Sequence, residues 1–217
     1  MRRNNGPRVV VLDFDGVILQ SVSIKTAAFR ALFSSHPEHQ DAIEALHLRL
    51  GGISRHTKFR LIYRDILGLP VNEHDMAQLA ERFQAEVKER VIASPFVPGA
   101  REFLAAAQAK VPLYVASGTP SEELRDIVAA RGLERCFAGV YGSPQDKADI
   151  LAMIASDTGC PPGDIVMVGD ADTDYQAAAR AGTRFVGIVA PGDPPCFPAE
   201  TLVLPDLHRL GAVIGLE

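Results

Sequence analysis

The sequence contains no tryptophan, only three cysteines, no surplus of basic residues and no apolar run long enough to cross a bilayer. Each shortage excludes something. Cys136, Cys160 and Cys196 are odd in number and lack C-x-x-C spacing, so neither a disulfide framework nor a zinc knuckle is implied, and a reducing cytoplasm suits them. A net charge of −5 argues against a nucleic-acid-binding surface. The amino-terminal stretch 1–8 is basic, but the apolar run behind it lasts only from Val9 to Leu12 before Asp13, too short for a signal-peptide core. The expectation is a soluble, unexported protein with no membrane contact. There is no internal repeat and no low-complexity tract. What the chain does have is apolar content of 47% across 217 residues, enough to bury a substantial core in one large domain or one domain with an insert.

The chain is organised around Val9-Val10-Val11-Leu12-Asp13-Phe14-Asp15-Gly16-Val17. Four aliphatic residues, three of them β-branched, read as a strand buried on both faces. At its end Asp13 and Asp15 are two apart and point to the same side, while Phe14 turns into the core. Paired anions repel and resist desolvation, which calls for a nearby cation, and the unhindered backbone of Gly16 would let a ligand or metal come close.

Between 21 and 92 the apolar residues follow only helical spacing. One stripe is Ile24, Ala27, Ala28 and Leu32, a second Ile43, Leu46 and Leu50, a third Phe59, Ile62, Tyr63 and Ile66, and a fourth Met76, Leu79, Ala80, Phe83 and Val87. Four helices are expected there. Prolines 95 and 98 and Gly99 then break the pattern. Beyond them strands are predicted at 111–117, 140–142, 165–169, 185–189 and 201–204, alternating with helices at 120–131, 144–156 and 171–181. The alternation predicts an α/β core, a Rossmann-like parallel sheet with helices on both faces, with a small all-α domain inserted after the first strand. The expected division is 1–19 and 96–217 for the core and 20–95 for the helical insert, with hinges near 19–21 and 93–98.

In an open α/β sheet, ligands bind at the carboxyl ends of the strands. The first strand brings Asp13 and Asp15 to that edge. The second brings Ser117-Gly118-Thr119, with Thr119 as helix N-cap, Pro120 in the first turn and Glu122 closing a capping box, so that free amides there could hold an anion. After the third comes Ser143-Pro144-Gln145-Asp146-Lys147, and a lysine in a first helical turn opposes the helix dipole unless an anion faces it. The fourth ends in Gly169-Asp170-Ala171-Asp172-Thr173-Asp174. Alternate aspartates suggest a calcium loop, but Tyr175 stands where that loop needs glycine and Ala181 where it needs glutamate, which leaves a site for a hard metal at the strand end.

This ordered set resembles the haloacid dehalogenase-like superfamily of phosphohydrolases, in the branch that includes β-phosphoglucomutase and phosphoglycolate phosphatase. The resemblance covers essentially the whole chain, the helical insert being similar to that branch's cap domain. It implies that Asp13 is the nucleophile forming an aspartyl phosphate and that Asp15 is the general acid and base, kept protonated for its first task by its like-charged neighbour. It also implies that Ser117 and Lys147 grip the phosphoryl oxygens beside the backbone of Gly16, Gly118 and Thr119. Mg²⁺ is the implied cofactor, held by Asp13, the Asp15 carbonyl and Asp170, with Asp174 a ligand or a support. Two positions depart from the usual pattern: Gln20 stands where aspartate is common, and Ala148 where proline often follows the lysine.

Residues 45–64 contain no acidic side chain but carry His47, Arg49, Arg55, His56, Lys58, Arg60 and Arg64, which in an acidic protein points to an anion. Gly51-Gly52-Ile53-Ser54-Arg55 reads as a tight loop opening a helix. It resembles the cap loop of β-phosphoglucomutase-like proteins, which makes Arg55 and Lys58 the leading substrate contacts and Lys25 a third. The expected partner is a small phosphorylated metabolite, a sugar phosphate or phospho-acid, acted on by a cytoplasmic monomer or homodimer. A phosphomutase, a phosphonate hydrolase with a Schiff-base lysine at Lys58 or Lys25, and a receiver-like module phosphorylated on Asp13 are the alternatives.

Overall fold

The structure is a computed structural model that describes residues 6–216, so residues 1–5 of the basic amino-terminal stretch lie outside it. Six strands, β1 (Val9–Leu12), β2 (Leu113–Pro120), β3 (Gly139–Ser143), β4 (Ile165–Gly169), β5 (Arg184–Ile188) and β6 (Val203–Leu204), form one sheet in the order β3-β2-β1-β4-β5-β6. Every neighbouring pair is parallel. The predicted α/β architecture is therefore present, and β1 lies at its centre.

The central position explains the aliphatic run. All four β1 residues are buried, and their side chains alternate between two cores. Val10 and Leu12 join Val115, Val166 and Val168 on one face, while Val9 and Val11 join Ile165, Met167 and Ile154 on the other. Phe14 is fully buried in the first of these cores, as its alternation from Asp13 requires.

Between β1 and β2 the chain forms α1 (Val22–Leu32), α2 (Gln40–Arg49), α3 (Arg55–Leu61), continued by π-helical turns at Ile62–Leu67, and α4 (Glu73–Ala93). The four expected helices are there, with one stripe corrected. On α1 Ala27 is exposed and Phe29 is buried, because Phe29 stacks with Phe59 and Phe83 in an aromatic cluster that only the larger ring can reach. The two chain crossings lie side by side: the Gln20 amide N–H donates to Pro95 O and its side-chain amide to Phe96 O, both at 2.9 Å. Val97 N–H donates back to Ile18 O at 3.0 Å.

After the crossings come α5 (Ala100–Ala107), α6 (Ser121–Ala130), α7 (Lys147–Thr158), α8 (Asp172–Ala181) and the short α9 (Leu210–Ile214). Helices α5 and α9 lie outside the expected elements, although Ala100, Phe103, Leu104 and Ala107 have a helical period and are all buried. The start of α6 also differs from expectation. Strand β2 runs on through Pro120 with a register shift after Ala116, so Pro120 itself is the N-cap and no side chain caps the helix. Thr119 and Glu122 therefore do not form the expected capping box. The start of α7 is capped by Asp146, whose carboxylate accepts from Ala148 N–H at 2.8 Å.

Candidate active site

Asp13, Asp15, Ser117 and Asp170 come together at the carboxyl edge of the sheet, in the wall of a cavity of about 1150 Å³. The far wall belongs to the helical segment and includes Lys25, His47, Arg55 and Lys58. The strands fix these positions: β1 and β4 are adjacent and in register, so Asp13 N–H donates to Val168 O at 2.8 Å and the two acidic strand ends meet.

The lysine in the first turn of α7 finds the anions it was expected to need. Lys147 is buried, with Nζ 3.0 Å from Asp13 Oδ2 and 2.5 Å from Asp174 Oδ1. Burial alone would lower its pKa, but Asp13 and Asp174 outweigh that and hold it raised and firmly charged. Asp174 is completely buried and uses its second oxygen to accept from Ala171 N–H at 3.2 Å. Both of its oxygens are therefore engaged within the protein, which fits a support for Lys147 better than a metal ligand.

Asp13, Asp170 and Asp174 each offer an oxygen within 4.8 Å of the others. Burial, reinforced by the neighbouring carboxylates, pushes Asp13 up to about 7 and Asp170 well above the usual range. Counting Asp15 with these three gives four carboxylates against two lysines, Lys25 and Lys147, so the cluster is short of about two positive charges. An all-oxygen donor set with that deficit suits one hard divalent cation. Gly16 admits the last member of the cluster: its φ is +78°, and a Cβ there would stand 2.0 Å from Asp170 Oδ2. The unhindered backbone foreseen at Gly16 thus accommodates Asp170.

Asp15 faces a different set of groups. It accepts from Ser21 Oγ at 2.6 Å and from Thr119 Oγ1 at 3.1 Å, and Lys25 Nζ both pairs with it and hydrogen-bonds Thr119 Oγ1. Burial raises the Asp15 carboxyl, yet Lys25 and the two hydroxyls together hold it below the ordinary value. This corrects the expectation that a like-charged neighbour keeps Asp15 protonated: in the structure it is the ionised partner of Lys25. Ser21 is the site residue that sequence reading missed, and its only signal was its place at the first crossing.

Ser117 is buried and accepts from Thr119 N–H at 3.2 Å, on the irregular part of β2 that turns toward the cavity. Gly118 lies directly against the helical segment, since a Cβ there would be 2.4 Å from Gly52 O. Of the basic residues in that segment, Arg55 does not end free in the cavity. It crosses to Glu123 on α6 at 2.7 Å, both side chains being buried, and stacks over Phe83 at 4.7 Å. Lys58 is buried and contacts His47 twice, at Nδ1 and at the backbone oxygen, each at 3.1 Å.

A family model described as haloacid dehalogenase-like hydrolase matches residues 7–182, most of the chain. The chain belongs to the haloacid dehalogenase-like hydrolase family. It is 25% identical over 213 residues to phosphoglycolate phosphatase 1 of Pseudomonas aeruginosa, a match spanning 94% of this chain and 78% of that protein. Its fold is that of CbbY from Rhodobacter sphaeroides, solved in complex with xylulose-(1,5)bisphosphate, with a TM-score of 0.76 at 18% identity over 94% of this chain and 96% of that one. It is also that of a HAD family hydrolase from Deinococcus radiodurans with bound phosphate and sodium, with a TM-score of 0.68 at 22% identity over 98% of each chain. The enzyme class expected from the strand-end motifs and the names of these relatives agree.

Proposed function

We propose that this hydrolase cleaves the phosphomonoester of a small phosphorylated metabolite through an aspartyl-phosphate intermediate on Asp13. The observation that carries the reading is the placement of Asp13: a buried carboxylate on the cavity wall, 3.0 Å from the Lys147 ammonium and clustered with Asp170 and Asp174. A carboxylate can attack an anionic phosphate only where positive charge offsets the repulsion, and Lys147 supplies part of that charge.

In the first half-reaction an oxygen of Asp13 bonds to phosphorus as the bond to the leaving oxygen breaks, and Asp15, which must first take up a proton from the monoprotonated phosphoester or from water, passes it to that oxygen. In the second, Asp15 removes a proton from water, the water oxygen attacks phosphorus, and the Asp13 carboxylate is released with inorganic phosphate. The ion pair with Lys25 favours the ionised Asp15 needed in this second half. Ser117 and the Gly118 amide orient the phosphoryl oxygens, with the Thr119 amide holding Ser117 Oγ in place. Asp13, Asp170 and the Asp15 carbonyl would hold Mg²⁺, which supplies Lewis-acid charge neutralisation when bound. The helical segment acts as a cap that excludes water, turning on the paired crossings at Gln20 and Phe96.

The helical wall over the strand ends speaks against a receiver-like module, whose phosphorylated face must stay open to a partner. The commitment of Arg55 to Glu123 speaks against a mutase that would use this arginine for a second phosphate. The test is a panel of phosphorylated metabolites assayed with and without Mg²⁺, with Asp13→Asn as control. Magnesium-dependent release of phosphate that the substitution abolishes is expected, and turnover surviving in Asp13→Asn would overturn the mechanism.

A further inference from the structure

The loop of the helical segment at residues 51–53 lies against the carboxyl edge of the sheet with no room for side chains between the two. A Cβ at Gly51 would stand 2.7 Å from Ala171 Cβ. One at Gly52 would stand 2.7 Å from Thr173 Oγ1, 2.9 Å from Lys147 Nζ and 3.3 Å from Asp174 Oδ1. From the core side, a Cβ on Gly118 would meet Gly52 O at 2.4 Å. Gly52 also has a φ of +74°, which residues with a side chain rarely adopt. These contacts belong to the two strands that flank β1: Gly118 is on β2, and Ala171 and Thr173 follow β4. The loop therefore bridges the strand end that carries Asp13, from one neighbour to the other.

A single polar side chain fastens this bridge. Thr173 Oγ1 donates to Gly51 O across 122 positions of sequence. Among the described residues it is the one hydrogen bond between the 51–53 loop and the core, the other contacts being close packing. A threonine in the first turn of a helix ordinarily gives its hydroxyl to nearby backbone or to water. Here, at the start of α8 and directly before Asp174, the hydroxyl is given to a carbonyl of the helical segment.

We infer that Thr173 is a positioning residue for the reaction: its hydroxyl holds the 51–53 loop down on Lys147 and Asp174, so that docking of the helical segment closes the wall around the ammonium beside Asp13. The inference rests on the phosphatase reading above. Thr173 acts on the chemistry through Gly52, which packs on the Lys147–Asp174 pair. With the loop down, Gly52 occupies space that water would otherwise take next to Lys147, and a charge in dry surroundings offsets the repulsion between Asp13 and a phosphate more strongly. With the loop raised, water reaches the pair and screens it. One hydrogen bond and a few close contacts can be broken at modest cost, which suits a wall that opens to exchange substrate and product.

The test compares Thr173→Val, which keeps the branched shape and loses the donor, with Thr173→Ser, which keeps the donor, and combines Thr173→Val with Gly52→Ala, which lifts the same loop by steric contact. Losing the donor leaves Gly51 O without its partner, so kcat/KM on phosphomonoesters is expected to fall roughly 5- to 100-fold in Thr173→Val and to return to within about threefold of the wild type in Thr173→Ser. The double variant should cost little beyond the larger single effect, because both substitutions raise one loop. Amide hydrogen exchange at Gly51 and Ile53, whose N–H groups donate to Leu48 O and Leu50 O, should quicken in Thr173→Val while exchange in β4 stays as in the wild type. An unchanged kcat/KM in Thr173→Val, a Thr173→Ser variant equally slow, or effects that multiply in the double variant would each overturn the inference and leave the phosphatase reading intact. So would unaltered exchange at Gly51 and Ile53, or exchange quickened in β4 to the same degree, which is the signature of a general loosening of the core. Absence of wild-type turnover on every phosphomonoester would refute the phosphatase reading and this inference with it.

Discussion

Replacing Glu123 by alanine leaves the Arg55 guanidinium buried with no counter-ion, and the size of the penalty can be worked from the geometry. The two charges are 2.7 Å apart with side chains 5% and 2% exposed. At an effective dielectric of about 20 their attraction is roughly 6 kcal/mol, against a desolvation cost of several kcal/mol per ion. The pair thus comes near to breaking even, and incomplete satisfaction lowers its worth further, since Glu123 Oε2 is buried without a hydrogen-bond partner among the described residues. Removing one ion forfeits the attraction and keeps the other's desolvation, a loss of about 3–5 kcal/mol. At this chain length that corresponds to a fall in melting temperature of roughly 10 °C. The assay is urea denaturation of Glu123→Ala, Arg55→Leu and the double variant Arg55→Leu/Glu123→Leu. Each single substitution should be strongly destabilising, and the double should recover most of the loss because no buried charge is left behind. A double variant as unstable as the sum of the singles, or a single costing under about 1 kcal/mol, would refute the reasoning.

Four further outcomes follow from the site. Gly118→Ala places a Cβ 2.4 Å from Gly52 O, backbone against backbone, so the loop at the start of α3 must lift; kcat/KM should drop by more than tenfold with a smaller change in melting temperature, and an unchanged kcat/KM would count against that close approach. Burial first, then the Asp174 and Asp15 charges, raise Asp13 to about 7 from an ordinary 3.8, so the metal-free fold gains from this group below pH 4 and loses that gain as pH rises through 7. Mg²⁺ should therefore raise the melting temperature more at pH 8 than at pH 5, and an equal shift at both would contradict the assignment of Asp13 as ligand. Lys58 has the opposite sign: its folded value near 7 lies below the ordinary 10.5, so wild-type stability climbs with pH between those values. Lys58→Met should remove that climb and gain most over the wild type at pH 7 and below, as read from melting curves at pH 6.5, 8 and 9.5. Lys25→Met takes away the main counter-ion of Asp15 and should reduce turnover at least tenfold, while Mg²⁺ still protects the protein against heat; loss of both together would show that Lys25 also supports the Asp13 cluster.

The sheet and the polar edge where the candidate site lies were legible because both rest on local signals. An unbroken aliphatic run marks a central strand, and each strand end carries its polar residues within a few positions of the last apolar one. Lys147 was readable for the same reason, since a lysine opposing a helix dipole advertises a missing anion. The partners of the basic loop were not readable. Glu123 lies 68 positions from Arg55, and nothing near either residue announces the pair, because it exists only through the packing of the helical segment on α6. In the sequence Glu123 looks like ordinary acidic decoration of a helix start. The role of Thr119 was hidden for a related reason: three more residues of strand moved it from a helix cap to a hydrogen-bond partner of Asp15 and Lys25.

The two aspartates that end β1 are thus built by different parts of the molecule. The groups that neutralise or cluster with the Asp13 side chain, Lys147, Asp170 and Asp174, come from the α/β core, and the helical segment reaches two of them through Gly52, where a Cβ would stand 2.9 Å from Lys147 Nζ and 3.3 Å from Asp174 Oδ1. Asp15 has one core partner, Thr119, while Ser21 and Lys25 come from the first crossing and the first turns of α1. A motion of the helical segment therefore acts on Asp15 through Ser21 and Lys25 and on Asp13 through the packing of Gly52 on Lys147 and Asp174. The same segment carries Lys58 and His47, so these two groups of the cavity wall and the side chains that hold the Asp15 carboxylate are fixed to one stretch of chain.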